Sequence, residues 1–401
     1  MIELDDLRRT PNALSSDYSS FRVADRLLLT GHSHQAWPDV AREGQLEAFE
    51  DAALCVDEKW DRAFAKAELV RDGFRRLLGD AGAEIALAQN THELVTRFLS
   101  ALDLRRRPRL ITSDGEFHTL RRQLARLGEE RLEVVRLRAH PAETLAERMA
   151  TALDDRTSAV LVSSVLFETG RIVPQLGALA RACVEAGAEL LVDAYHALGA
   201  LPFRVPELEL ESAWVVGGGY KYLQLGEGNC FLRLPVQAET MRPVLTGWFA
   251  EFEELAAERD NEAVAYASGG ARFAGSTYDP TSHYRGARVF AFFEERALSP
   301  EFLRTVYLHQ TALLARCFDE LGAPETLMKR ERAVPLDQFG GFLAIECLQS
   351  PAVAARLADD GVLTDARGRY LRLGPAPYLS DAQLEAAIER LEGAVSALSG
   401  A

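Results

Sequence analysis

The chain has no apolar run long enough to cross a membrane. Its first ten residues, MIELDDLRRT, carry charges where a secretory signal would have an apolar core. It also lacks any cluster of basic residues, and its net charge is -15. The one basic-looking stretch, Arg105 to Arg109, reads as a solvated turn before the strand Leu110-Ile111-Thr112. A general nucleic-acid binder is therefore excluded, since nothing neutralises a run of phosphates. The five cysteines (Cys55, Cys183, Cys230, Cys317, Cys347) have no paired spacing. That rules out a disulfide framework or a thiolate metal site and suits a reducing, cytoplasmic compartment. Internal repeats and low-complexity segments are also missing. What remains is an ordinary soluble composition, 48% hydrophobic and 26% charged, over 401 residues. That length buries a large core and implies more than one domain.

The informative stretch is Ala213 to Leu232, AWVVGGGYKYLQLGEGNCFL. An apolar run ends in Gly217-Gly218-Gly219, then come Tyr220 and Lys221, then a second glycine loop, Gly226-Glu227-Gly228. A lysine just past a strand is ordinarily a solvated loop charge. Here it is flanked by backbone that can approach a ligand closely, which makes Lys221 a candidate Schiff-base nucleophile.

A second signal lies upstream. Leu190-Leu191-Val192 ends in Asp193, and His196 follows three residues later. An aspartate at a strand end commonly just starts a turn. Paired with Lys221, however, it meets the needs of pyridoxal 5'-phosphate (PLP). That cofactor requires a lysine for the imine and an acid against the pyridine nitrogen.

Along the rest of the chain, residues 1–30 read as an arm leading to a short strand, Arg26 to Thr30. His32-Ser33-His34 follows as a substrate-facing loop or a plain turn, and no carboxylate or cysteine is spaced to complete a metal site there. Residues 39–79 show helical periodicity in two segments, broken near 53–56. Strands and helices then alternate. Strands are expected at Glu84–Ala88, Leu110–Thr112, Leu132–Leu137, Ser158–Ser164, Glu189–Asp193, Val215–Gly217 and Phe231–Leu234. Helices are expected between them, including Phe117–Leu127, Pro141–Leu153 and Leu176–Ala186. This pattern predicts a mostly parallel sheet with helices on both faces and a ligand beyond the carboxyl ends of the strands. Asn90-Thr91, Glu116-Phe117, Ser163-Ser164, Asp193-His196 and Tyr220-Lys221 all fall at or just after such ends. Asn90 or Thr91 can be a simple helix cap or, with the helix N-terminus, a phosphate site. After Gln237 come an aromatic turn at Trp248-Phe249, an acidic helix at Glu251–Glu258 and a small-residue loop at Gly275-Ser276-Thr277. Two long helices, a strand at Phe342–Cys347, a helix, the strand Tyr370–Leu373 and a final helix from Ser380 complete a small α+β unit.

These residues resemble the kynureninases, a branch of the fold-type-I, class-V-aminotransferase-like PLP enzymes. The resemblance runs from about Leu27 to Leu391. It rests on Tyr220-Lys221-Tyr222-Leu223 with the Gly-x-Gly after it, Asp193-x-x-His196, and Arg242-Pro-x-Leu-x-Gly-Trp248-Phe249. Ser163 to Gly170 and Glu84 to Leu87 match as well. It implies an α/β fold-type-I architecture: a large domain with a mostly parallel seven-stranded sheet over residues 56–275, and a small α+β domain over 276–401. Residues 1–55 would form an arm that joins the small domain. Lys221 would hold PLP covalently, Tyr220 would reach its phosphate or relay a proton, and Asp193 would pair with the ring nitrogen with His196 beside it. Asn90 and Thr91 would bind phosphate, Phe117 would stack on the ring, and Glu116 and Ser164 would belong to the same cofactor site. Trp248, Ser276 and Thr277 would come from the neighbouring subunit of a homodimer, and Arg372 would clamp the α-carboxylate of a small amino-acid substrate. The reaction implied is hydrolytic Cβ–Cγ cleavage, with aminotransfer, β-elimination or decarboxylation of another amino acid as the alternative.

This chain departs from the kynureninase pattern on the substrate side. His32-Ser33-His34-Gln35 stands where that family usually has Asn-Ser-Leu-Gly, and Ser276-Thr277-Tyr278-Asp279 stands where it often has Asn-Pro-Pro. Asp57 to Trp60 offers no counterpart to the histidine that holds the aryl group. A cysteine desulfurase would need a nucleophilic cysteine in the stretch 361–369, and none is there.

Overall fold

A computed structural model describes residues 2–254 and 264–399. Thirteen strands are found among the described residues: β1 Leu27–Leu28, β2 Glu84–Ala88, β3 Arg109–Ser113, β4 Glu133–Leu137, β5 Thr157–Ser163, β6 Glu189–Asp193, β7 Trp214–Gly218, β8 Cys230–Leu234, β9 Met328–Arg330, β10 Leu343–Cys347, β11 Val362–Leu363, β12 Asp365–Arg367 and β13 Tyr370–Leu373. The helices are α1 Leu4–Arg8, α2 Val40–Cys55, α3 Lys59–Leu78, α4 Thr91–Ala101, α5 His118–Gly128, α6 Leu145–Thr151, α7 Leu176–Glu185, α8 Thr281–Glu295, α9 Pro300–Glu320, α10 Ser350–Asp359 and α11 Asp381–Ser399.

The large sheet has seven strands in the order β2-β8-β7-β6-β5-β3-β4. Only β8 runs against its neighbours, pairing antiparallel with β2 and β7. All residues of β5, β7 and β8 are buried, as a sheet covered on both faces requires. Alternate side chains point into separate cores. Val160, Val162, Leu190, Val192 and Val215 join one, while Ala159, Leu161, Leu191, Trp214 and Val216 join the other. Because β2, β3, β5, β6 and β7 run the same way, the loops after them open on one edge of the sheet. Asn90, Glu116, Ser164, Asp193 and Lys221 are all carried there.

A four-stranded antiparallel sheet, β12-β13-β10-β9, forms the second layer. The N-terminal arm joins this end of the chain. Leu27 and Leu28 pair with Val362 and Leu363, and Thr30 bridges to Gly374. A Cβ on Gly31 would meet the Pro375 carbonyl oxygen at 2.1 Å, so only glycine lets the chain pass this close and deliver His32 beneath β13.

Some expectations shift. The single helix expected at 141–153 is a 3₁₀ turn, Ala142–Thr144, followed by α6. The expected acidic helix begins as a 3₁₀ segment, Trp248–Glu254, and its remaining residues to 258 lie outside those described. Strands β9, β11 and β12 are two or three residues long and show no period in the sequence.

Candidate active site

Lys221 is placed by its glycines. A Cβ on Gly218 would lie 2.5 Å from the Tyr195 hydroxyl and 2.6 Å from Cys230 Sγ. The bare backbone therefore allows Tyr195 and Cys230 to pack against the end of β7. A turn closed by Gln224 N–H donating to the Lys221 carbonyl, 3.0 Å, then tucks Lys221 inward. Its Nζ is buried 2.9 Å from His196 Nε2, with the rings of Tyr195, Phe117 and Tyr220 at 4.9, 5.5 and 5.7 Å. Burial brings the amine down to about 7; Asp193 opposes this and Arg372 adds to it. His196 is held well below its usual range by burial and by Lys221 and Arg372. It is therefore a neutral imidazole at physiological pH, able to accept from the amine.

Asp193 ends β6. Its Oδ1 accepts from Tyr195 N–H at 2.8 Å, and its carbonyl accepts from Ser164 N–H and from the Ser164 hydroxyl at 3.0 Å. Burial raises the Asp193 carboxyl; the Tyr195 N–H and Lys221 oppose it. Glu116 sits beneath, fully buried, accepting from the Ser113 hydroxyl at 2.6 Å and the Ser163 hydroxyl at 2.5 Å. Burial lifts it to about 7 against those two hydrogen bonds, with Asp193 adding a small push.

A cavity of about 820 Å³ joins these groups. Asn90, Thr91, Phe117, Asp193, His196, Tyr220 and Lys221 all line it. Asn90 also caps α4, its Oδ1 accepting from Glu93 N–H at 3.0 Å. Ser163 lines the cavity and Ser164 does not, because Ser164 faces the Asp193 carbonyl. Glu116 lies behind the lining, held by the two serines. Phe167, Tyr195, Glu227 and Cys230 also line the cavity, beyond the residues that the sequence points to. Phe167 lies in the SSVLFETG segment, Glu227 in the Gly-x-Gly loop, and Tyr195 between Asp193 and His196, so each carried a local signal.

Of the expected cofactor residues, Trp248, Ser276 and Thr277 fall elsewhere, and the expected substrate residues His32, Ser33, His34 and Arg372 are not among the residues lining this cavity. Ser276 and Thr277 line a second cavity of about 810 Å³, and Trp248 Nε1 donates to the Thr277 hydroxyl at 3.1 Å beside it. Gln89 and His92 line both cavities.

The histidine loop diverges. His34 stacks on Tyr220, ring centroids 4.8 Å apart, and Ser33 Oγ stands 3.1 Å from His34 Nδ1. His32 turns inward, fully buried against Phe342, its Nε2 3.6 Å from Asp365. Burial brings His32 down to about 3, with Asp365 opposing. Arg372 on β13 is buried nearby, paired with Asp365 and donating to the Phe167 carbonyl.

The donor set suits PLP in its chemistry. A buried amine of lowered basicity, a carboxylate at a strand end, an aromatic face and a helix N-terminus all meet in one cavity.

No family model matches the chain. An uncharacterised aminotransferase, YcbU, from Bacillus subtilis (strain 168) is 22% identical over 349 residues, covering 86% of this chain and 88% of that protein. Isopenicillin N epimerase from Streptomyces clavuligerus is 31% identical over 191 residues, 45% of this chain and 46% of that protein. Among solved structures, a mutant of C-DES with glycine covalently linked to its PLP cofactor superposes with TM-score 0.81 at 15% identity, covering 94% of this chain and 98% of that one. An apo cysteine desulfurase from Thermococcus onnurineus NA1 superposes with TM-score 0.80 at 17% identity, covering 99% of both chains. The fold is that of the fold-type-I PLP-dependent enzymes.

Proposed function

We propose that this protein is a PLP-dependent enzyme that acts on a free α-amino acid through Lys221. The observation that carries the reading is the buried Lys221 amine, lowered to about 7, at 2.9 Å from a neutral His196 and in one cavity with Asp193. When bound, PLP supplies an electron sink for the bonds at the substrate Cα. Asp193 would keep the ring nitrogen protonated, Phe117 would cover the ring face, and Asn90, Thr91 and the α4 N-terminus would hold the phosphate. An amine near 7 is half protonated at neutral pH, so Lys221 can both take and return a proton at the substrate carbon. Tyr220, stacked under His34, would orient groups on the phosphate side. Arg372 would hold the substrate α-carboxylate, and the His32–His34 loop would lie along the substrate.

Kynureninase-like hydrolytic Cβ–Cγ cleavage is the branch that the sequence resemblance favours. The second reading is aminotransfer or lyase chemistry on another amino acid. It is supported by the similarity to an aminotransferase and by His32, which is buried beside Asp365 instead of opening the loop to an aryl side chain. Desulfuration through an internal cysteine is disfavoured. Cys230 is the one cysteine lining the cavity among the described residues, and burial pushes its thiol up to about 12.

We further propose a homodimer, because Trp248, Ser276 and Thr277 do not line the Lys221 cavity of their own protomer. On this reading they would serve the cofactor of a second copy. The deciding experiment is an absorbance screen of the purified, PLP-loaded protein against kynurenines and common amino acids, with Lys221→Ala beside it. A near-visible band that is lost in the variant and perturbed by an amino acid supports the reading. Anthranilate release selects the kynureninase branch, and a keto-acid product selects the other. Absence of any band after adding PLP would refute the assignment of Lys221.

A further inference from the structure

Asp365 on β12 stands directly across from Arg372 on β13, and its Oδ2 accepts from Arg372 Nη2. Arg372 Nη1 donates to the Phe167 carbonyl. Nε is buried with no hydrogen-bond partner among the described residues, and the whole residue is 3% exposed. A second arginine, Arg367, reaches the same Asp365 oxygen at 3.7 Å. His32 closes the other side at 3.6 Å, with neither ring nitrogen hydrogen-bonded among the described residues. Arg372, Asp365, Arg367 and His32 stand behind the cavity lining, joined to it through the Phe167 carbonyl that Arg372 holds, and the charges of Arg372, Asp365 and Arg367 all act on the Lys221 amine. Burial pushes the Asp365 carboxyl up, but His32, Arg372 and Arg367 more than offset it and hold the group well below the usual carboxylate range.

We propose that Asp365 is a positioning residue for the substrate-carboxylate site: a resident carboxylate that fixes the Arg372 guanidinium and cancels its charge, so that free small anions are turned away. The proposal rests on the reading of Arg372 as the clamp. A lone buried guanidinium attracts any available anion, because an unpaired buried charge is costly. With Asp365 in place the buried Arg372 charge is balanced, and the positive charge that remains in the cluster sits on Arg367, a half-exposed side chain screened by solvent, so a free acetate finds no uncompensated buried charge to draw it in. Unused guanidinium donors remain, including the unpartnered Nε–H. An amino acid whose amine is already held at the cofactor site would bring its carboxylate to those donors at high effective concentration, and the hydrogen bonds then suffice. The site thus selects for a carboxylate and an amine on the same carbon.

The test uses the holoenzyme, titrated with sodium acetate and read by melting temperature and by the cofactor band. Asp365→Asn leaves Arg372 uncompensated, and its acetate midpoint should fall at least tenfold below that of the wild type. Asp365→Glu, which keeps the charge, should restore the wild-type response, and Asp365→Asn with Arg372→Gln should lose the response altogether. Identical acetate curves for wild type and Asp365→Asn would overturn the proposal. If Asp365→Asn alone does not fold, the double variant decides. Recovered folding supports charge balance, and continued failure refutes it. The melting readout also works without PLP, so a missing cofactor band would sink the proposed function while leaving this result to stand or fall separately.

Discussion

Nζ of Lys221 stands 2.9 Å from Nε2 of His196, which joins the loop after β7 to the loop after β6. Because His196 is a neutral acceptor and the amine is buried, Lys221 is unusually ready to act as a nucleophile near pH 7. The neutral amine is the reactive form, so trapping of an aldehyde at Lys221 should rise as pH goes from 6 to 8 and level off above. A surface lysine would keep rising towards 10.5. Borohydride trapping followed by peptide mass analysis reads the profile. The same shift affects folding. The unfolded chain binds this proton up to pH 10.5 and the folded chain only up to about 7. Between those values the unfolded state holds more protons, so stability should rise with pH relative to Lys221→Met. A site profile that climbs without a plateau to pH 9 would contradict the geometry.

Glu116 gives a pH effect of opposite sign. Its carboxyl is raised from 4.5 to about 7 by burial. Below pH 4.5 both states hold the proton, so there is no difference. Between 4.5 and 7 the folded state keeps a proton that the unfolded chain has lost, so this group's contribution falls as pH rises. Glu116→Gln keeps partners for the Ser113 and Ser163 hydroxyls and removes the titration. Its melting temperature relative to wild type should therefore improve from pH 5 to pH 8. A constant offset across that range would show that Glu116 is ionised in the fold.

Much of this site is legible in the sequence because it follows strand ends. Glu84–Ala88, Glu189–Asp193 and Tyr370–Leu373 are found residue for residue, since each is an apolar run closed by a turn signal. Which of two adjacent residues faces the cavity is harder to see. Ser163 and Ser164 are neighbours, and strand parity, fixed only by packing, turns one inward and the other onto the Asp193 carbonyl. Asp365 is missed for a different reason. Its partner Arg372 lies seven residues away across a hairpin turned at Gly368, φ +54°, and the three-residue strand that carries Asp365 is too short to show a period. The stretch holds no cysteine, and its chemistry lies in a cross-strand ion pair.

Gly218 can be tested by size alone. Its added Cβ would meet Tyr195 Oη at 2.5 Å and Cys230 Sγ at 2.6 Å, both buried. Gly218→Ala should cost about 1–3 kcal/mol of stability, as overpacking does. It should also displace the Tyr195 ring, which lies 4.9 Å from Lys221 Nζ, and so shift the cofactor band. Denaturant unfolding and absorbance read the two effects. Wild-type values in both would mean that this corner is loosely packed.

Cys230 separates two kinds of sulfur chemistry. It lines the cavity beside the Tyr195 hydroxyl at 3.7 Å, and its thiol is pushed up to about 12 by burial. Little thiolate exists at neutral pH, so iodoacetamide should label it slowly, and Cys230→Ala should retain activity within about threefold. A loss of a hundredfold or more with cysteine as substrate would make Cys230 a nucleophile after all.

Arg372 decides whether the substrate is read by its carboxylate. Its guanidinium is planar and held at two points, by Asp365 and by the Phe167 carbonyl, so replacement by a point charge cannot reproduce its fork. Arg372→Lys should raise KM for an amino-acid substrate by tenfold or more, since a charge-assisted hydrogen bond contributes about 1.5–3 kcal/mol. The corresponding amine without a carboxylate should bind the variant and the wild type alike, because it never engages the clamp. Competition of each against the substrate, with melting temperature as a control for folding, separates the two. Equal loss for both ligands would mean that Arg372 supports the hairpin and leaves the carboxylate to another residue.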